Sequence, residues 1–338
     1  EQCRDRGATL LVAAGSAVEP WARRAAELFA VPLQVVAIDH GESSDLIVRG
    51  RRSGPLSRDA VLIALADRVD AVYVRRRGVI ERCLKSRIEQ LHDASTRVAV
   101  GSGPECAAAG LITCGAIGWY WPTTISGTRR TLSVDSSPQK MDDQWTRTDG
   151  RWLVHCTRAG RGAWPGETQR QYRDRVLLGD RYSTRGGPLE ALVHILRSGR
   201  LVASARATRQ SSPVVCFSAV PLVELVQRRC FRAHLSRWDY EPYGIAIRLE
   251  AAQKIGVQPV IYGTPEQRAT LTRADRFRFH PLGNTHDWRS EREWRSPATV
   301  DLTQLSESDV RVFVRDAGDL ARLPNVRPWA VTVVGSIT

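Results

Sequence analysis

Near its C-terminal end the chain reads Asp287-Trp288-Arg289-Ser290-Glu291-Arg292-Glu293-Trp294-Arg295. Two carboxylates stand one residue apart, bounded by two tryptophans and interleaved with arginines. Side chains of an extended segment alternate across a sheet, which predicts Glu291, Glu293 and Arg295 on one face and Arg292 with Trp294 on the other. Carboxylates on one wall of a cleft, held by arginines and bounded by aromatics, suit stabilisation of a cationic, sugar-like transition state. A solvated edge strand with cross-strand ion pairs is the competing reading of an isolated Glu-x-Glu. The segments upstream shift the balance.

Working back from this stretch, residues 151–338 read as an α+β domain, with many short strands and few helices. It opens on a short strand, Trp152-Leu-Val-His155-Cys-Thr157, that carries polar groups in an apolar setting. A long stretch follows from Ala159 to Gly187, which reads as a lid or binding loop. Leu189, Leu192, Val193 and Leu196 mark an amphipathic helix closed by Gly199, with His194 off the apolar stripe and expected in solvent. Pro213 to Ser218 is a strand and Pro221 opens a helix. Arg237-Trp-Asp-Tyr-Glu-Pro-Tyr243 leads into the alternating strand Gly244–Leu249. His155 alone reads equally as a satisfied core histidine, and Ser218 as an ordinary residue ahead of a helix N-terminus.

The first hundred residues alternate differently. Ala8–Ala14 is a continuous apolar run, the mark of a buried parallel strand. Pro20–Ala30 is helical with Pro in its first turn. Leu33–Ile38, Ala71–Val74 and Arg97–Val100 are further strands, separated by helices that begin after Ser57 and at Val79. The order βαβαβαβ predicts a doubly wound, Rossmann-like α/β domain over residues 1–118. Residues 119–150, polar and rich in Ser, Thr and Asp, read as a connecting region with one hairpin. The chain thus reads as two domains. Neither G-x-G-x-x-G nor G-x-x-x-x-G-K-[ST] occurs, so neither a standard dinucleotide fingerprint nor a P-loop is present. Gly15-Ser16, after the first strand and before a helix, is the candidate phosphate site.

Composition bounds the function classes. With 338 residues, 42% hydrophobic and 25% charged, the chain has room for two ordinary cores. A net charge of +13 favours an anionic partner, a dinucleotide as well as a polynucleotide. Of 49 basic residues only Lys85, Lys140 and Lys254 are lysines, so part of the charge reflects compositional bias. The seven cysteines form no C-x-x-C pair, which argues against a zinc site and suits a reducing, cytoplasmic setting. The longest apolar run, Cys106–Trp121, is too short and glycine-broken to span a bilayer.

Taken in order, Leu-x-His155-x-Thr157, helix-Gly-Arg-Leu, Cys216-Phe-Ser218-x-x-Pro, an aromatic strand entrance and Trp-x-x-Glu291-x-Glu293-Trp-Arg resemble the ADP-ribosyltransferase fold, in particular its divergent bacterial DarT-like branch, over about residues 150–320. The resemblance implies an enzyme that takes NAD as substrate and transfers or hydrolyses its ADP-ribose, in a setting of bacterial defence or nucleic-acid modification. It implies catalytic roles for Glu293, Glu291 and His155, with Thr157 and Ser218 at the NAD pocket. Aromatics such as Tyr172, Trp238, Tyr240 and Tyr243 could stack on nicotinamide or adenine. The sequence keeps only part of the Ser-Thr-Ser pattern of one branch of that fold.

The N-terminal half resembles the Rossmann-like nucleotide-sensing domains of the SLOG group, relatives of DprA. That likeness rests on Ala14-Gly15-Ser16, on Asp67-x-x-Asp-Ala-Val-Tyr-Val74 and on Arg77-Gly78-Val79. It implies a nucleotide at Gly15 and Ser16, although the second glycine-rich loop of the phosphoribohydrolases in that group is missing. Two alternatives stay open, a nucleic-acid-binding or processing protein and a catalytically silent nucleotide sensor.

Overall fold

The computed structural model of the chain describes residues 2–38, 44–49, 57–92, 94–100, 106–120, 144–160, 162–179, 186–205, 213–233, 237–282, 287–324 and 328–336. Most of the expected connecting region, including its hairpin, lies outside the described residues. The chain divides into two units, Glu1–Val134 and Asp135–Thr338.

The first unit contains α1 (Gln2–Asp5), β1 (Leu10–Ala13), α2 (Glu19–Phe29), β2 (Leu33–Ile38), β3 (Leu46–Val48), α3 (Arg58–Leu65), β4 (Val69–Ala71), α4 (Val79–Leu91), β5 (Thr96–Val100), α5 (Ala108–Thr113) and β6 (Ile117–Tyr120). Every ladder in it is parallel, in the orders β1-β2-β3 and β4-β5-β6. Val12, Val35, Val36, Val98 and Ala99 are buried, as strands covered on both faces require. The sequence suggests one doubly wound sheet, whereas the described strands form two three-stranded ladders. β4 stops at Ala71, and Val72 and Tyr73, expected inside it, are 46% and 54% exposed. Arg87, buried on α4, ties the unit together through Thr96, Ser95 and the carbonyls of Ile63 and Asp67.

The second unit contains β7 (Trp152–Cys156), α6 (Gln169–Leu178), α7 (Pro188–Ser198), β8 (Arg200–Leu201), β9 (Val215–Ser218), α8 (Leu222–Gln227), β10 (Cys230–Arg232), β11 (Arg237–Asp239), β12 (Gly244–Arg248), α9 (Leu249–Lys254), β13 (Gln258–Pro259), β14 (Ile261–Gly263), α10 (Pro265–Thr270), β15 (Phe279–Pro281), β16 (Glu293–Ser296), β17 (Val300–Asp301), β18 (Val310–Val314), α11 (Ala317–Leu320) and β19 (Ala330–Val333). Seven of these strands form one mixed sheet in the order β13-β16-β9-β7-β12-β18-β19. Only the β18–β19 pair is parallel. The segment expected as a loop between 159 and 187 holds α6, whose charged sequence shows little apolar periodicity. A capping box between Thr168 and Gln171 and the Glu167–Arg175 pair stabilise it instead.

The alternating side chains of the sheet sort into two packed faces. Leu153, Phe217, Ile245 and Ile247 pack with Leu189, Leu192 and Leu196 of α7. Trp152, Val154, Ala246 and Phe313 pack with Trp145 and with Leu222 and Leu225 of α8. At the centre β12 lies flush against β7. A Cβ built on Gly244 would stand 2.1 Å from the His155 carbonyl oxygen and 2.6 Å from the Phe313 ring, and backbone cannot yield as a side chain can. Gly244→Ala is therefore expected to destabilise this unit by about 3 kcal/mol, read as a lower urea midpoint at unchanged slope.

Candidate active site in the split sheet

The sheet has a weak seam. β9 pairs with β16 over four residues, and β12 with β7 over five. Between β9 and β7 a single pair is formed, Val154 with Ser218. Past that pair the strands part, and the gap opens into a cavity of about 1390 Å³ lined by both of them. This is ample for a ligand larger than a mononucleotide.

His155 sits in the gap. Its Nδ1 bonds the Cys216 carbonyl at 2.8 Å, taking an acceptor that a continuing ladder would have given to backbone. The ring rests edge-on against Phe217. Burial pushes its pKa below the ordinary histidine value, Arg158 adds to this, and the Cys216 carbonyl opposes it. An unfolded imidazole takes up a proton near pH 6.5, whereas this one resists until lower pH. Its contribution to stability is therefore present above about pH 6.5 and fades as pH falls toward the folded value. His155→Asn keeps a donor near the Nδ1 position and cannot titrate. Denaturation at a series of pH values should show a shallower acid slope for the variant, by up to about 1.4 kcal/mol per pH unit. His194, whose pKa burial also lowers, keeps its own share of the slope.

On the other side of β9 stands the segment with which the sequence reading began. It is not extended throughout. Asp287 caps a 3₁₀ turn over Trp288–Glu291 by accepting from the Arg289 amide at 3.0 Å. Arg292 then adopts a left-handed φ of 44°, and the strand begins only at Glu293. The Ser218 hydroxyl fixes this corner by donating to the Glu291 carbonyl at 2.6 Å, and the Ala219 amide donates to the Arg292 carbonyl at 3.0 Å. Glu293 and Arg295 do share a face, as expected. The Arg295 Nε meets Glu293 Oε1 at 2.9 Å and its Nη2 meets Oε2 at 3.2 Å. The Arg295 Nη1 donates to the carbonyls of Phe277 and Phe279. Arg295 is 1% exposed, and its two bonds hold the Glu293 carboxylate bidentately at the cavity wall.

Glu291, Glu293, His155, Thr157 and Ser218 all line this cavity. They do not lie on one face of the sheet. Glu293 pairs with Ser218 and so shares the α8 side with Val154, whereas His155 shares the α7 side with Leu153 and Ile245. The cavity reaches both through the seam. Thr157 is 3% exposed and its hydroxyl donates to the carbonyls of Pro188 or Tyr243, which anchors the end of β7.

Three of the expected stacking aromatics line no part of the cavity. The Tyr172 ring lies under Arg175, the Trp238 ring under Arg229 at 4.1 Å, and the Tyr243 hydroxyl donates to Asp319. The aromatic rings at the cavity include Tyr240, Trp164 and Trp288. His194, expected in solvent, stacks on Trp164 there. Arg158, Arg200, Arg232, Arg268 and Arg295 line the cavity against Asp239, Glu291 and Glu293, a balance that suits an anionic ligand. Cys156 and Cys216 also line it. Burial pushes both thiols up to about 12, with the Glu293 charge adding at Cys216, so neither is a nucleophile near neutral pH.

Gly15 and Ser16 belong to the first unit. The Gly15 amide donates to the Glu19 carboxylate at 2.6 Å, and the Ser16 hydroxyl accepts from the Glu19 amide at 3.2 Å. Hydrogen bonds from Arg23 and then Gly15 hold the Glu19 carboxyl below the usual carboxylate range. The chain thus supplies its own anion at the helix start, and a phosphate would have to displace it. The turn before α4 repeats the device, with the Arg77 amide on the Glu81 carboxylate.

Comparison with known proteins gives no match among family models, curated proteins or solved structures.

Proposed function

We propose that the second unit binds an NAD-type dinucleotide and acts on its nicotinamide–ribose bond, as an ADP-ribosyltransferase or NAD glycohydrolase. The observation that carries this reading is the placement of Glu291 and Glu293, from opposite sides of one backbone corner, on the wall of a single large cavity lined by five arginines. In the reaction the C1′–N bond breaks and its electron pair leaves with nicotinamide. The ribose carbon passes through an oxocarbenium-like state, and the oxygen of water or an acceptor hydroxyl attacks it. Glu293, clamped by Arg295, supplies the fixed negative charge for that state, and Glu291 takes the proton of the attacking hydroxyl. The arginines favour the pyrophosphate.

The test is release of free nicotinamide from NAD by the full chain, with Glu293→Gln as the control. Equal turnover by that variant removes Glu293 from its role. NAD binding without release would point instead to a sensor.

A further inference from the structure

We infer that the α7 side of the cavity is a subsite for an uncharged purine base, so that the dinucleotide reaches through the seam with its adenine end against His194. The choice of ligand rests on the functional reading above. The subsite itself rests on how the cavity wall sorts between the two faces of the sheet. On the α8 side the sheet presents a carboxylate and a guanidinium, Glu293 and Arg295. Arg158, continuing the alternation of Val154 and Cys156, meets Asp239 there at 4.0 Å. On the α7 side the sheet presents Val215, Phe217 and His155, whose charged form burial disfavours. Ala191, Ile195 and Leu201 extend that wall. Among its described residues Arg200 carries the charge, and it is largely exposed with Asp301 3.9 Å away. An anion is poorly served by such a wall, whereas a flat neutral ring buries apolar area against it.

One polar side chain of this wall is held in place without a hydrogen bond. Among the described residues neither ring nitrogen of His194 has a partner, whereas polar atoms shielded from water ordinarily have one. Its ring is fixed by stacking on Trp164, with centroids 6.1 Å apart and planes 24° apart. Trp164 is fixed in turn. It is buried, Arg175 lies over its ring at 5.2 Å, and Glu167 takes both the Arg175 Nε at 2.8 Å and the Trp164 amide at 2.7 Å. The nitrogens of His194 are thus left for a ligand. Burial lowers its pKa against the opposing Glu167 charge, so at neutral pH the ring carries one donor and one acceptor. An adenine edge offers the matching groups, an exocyclic amine beside a ring nitrogen. Because cleavage is assigned to Glu293, the nicotinamide end belongs on the α8 side, and the apolar wall is left to the adenine.

Two measurements on the full chain test this. Adenosine monophosphate (AMP) carries the adenine end without the reactive bond. Its Kd should rise about tenfold in His194→Phe, which keeps a ring on Trp164 and removes both nitrogens, at an unchanged thermal midpoint. His194→Gln, which keeps a donor and an acceptor, should recover part of the loss. In turnover, His194→Phe should raise KM for NAD by a similar factor. KM for nicotinamide mononucleotide, which has the same C1′–N bond and no adenylate, should not move. AMP that does not bind the parent, AMP binding untouched by His194→Phe, or an equal rise in KM for both substrates would overturn the inference. A parent chain that binds AMP in a His194-dependent way but releases no nicotinamide would remove the functional reading and leave the base subsite standing.

Discussion

Arg295→Met is expected to destabilise the second unit by about 3–5 kcal/mol, the cost of leaving a partly buried charge without its partner. Three losses coincide. The Glu293 carboxylate loses both of its guanidinium bonds, and the carbonyls of Phe277 and Phe279 lose their Nη1 donor. Methionine fills the space but offers no hydrogen. Arg295→Lys should fare little better, because an ammonium cannot bridge two carboxylate oxygens and two carbonyls from one planar fork. Removing the charge on the other side as well, in Arg295→Met with Glu293→Leu, should recover a substantial part of the loss. The deficit that stays belongs to the two carbonyls. Urea denaturation reads all three variants. A single variant within about 1 kcal/mol of the parent would mean that the pair is far better solvated than the 1% exposure of Arg295 implies.

The same pair shows what the sequence could and could not convey. Helices α2, α4 and α7 were legible because apolar spacing dominates them, with a proline in the first turn of α2 and Gly199 at the end of α7. That Glu293 and Arg295 share a face followed from strand alternation alone. The corner between Glu291 and Glu293 did not, because its carbonyls are held by Ser218 and Ala219, far away in the chain. α6 was missed because none of its residues is buried, so no apolar stripe marks it.

The opposite faces of His155 and Glu293 depend on the register of β9, which one residue pair fixes against β7. No local pattern encodes such a register. Of the cavity residues, Tyr240 left a trace in Asp-Tyr-Glu flanked by arginines, and Arg158 left none. Gly15-Ser16 was legible as a helix start, but the Glu19 carboxylate lying three to four residues on was the part that changes its meaning.

Glu293→Gln is the substitution expected to act most strongly on chemistry. The side chain keeps its shape, one of its two polar atoms still accepts from Arg295, and the carbonyls of Phe277 and Phe279 still hold the guanidinium, so the fold should survive with a smaller loss of stability than in Arg295→Met. What disappears is a full negative charge at the cavity wall. The substrate carries its positive charge on the nicotinamide ring in the ground state and shifts it to the ribose carbon as the bond stretches. A carboxylate fixed in advance by Arg295 gains interaction as that shift occurs and needs no reorganisation at the moment of reaction. The loss should therefore fall on kcat, by about a hundredfold to a thousandfold, with KM changed little. The thiol of Cys216, whose pKa the charge of the same carboxylate helps to raise, gives an independent check. Removing the charge lowers one cause of its raised pKa, so Cys216 should react with an alkylating reagent at a lower pH in Glu293→Gln than in the parent. A variant with parental kcat would assign the oxocarbenium charge to another group, and Glu291, on the same wall, would be the next to replace.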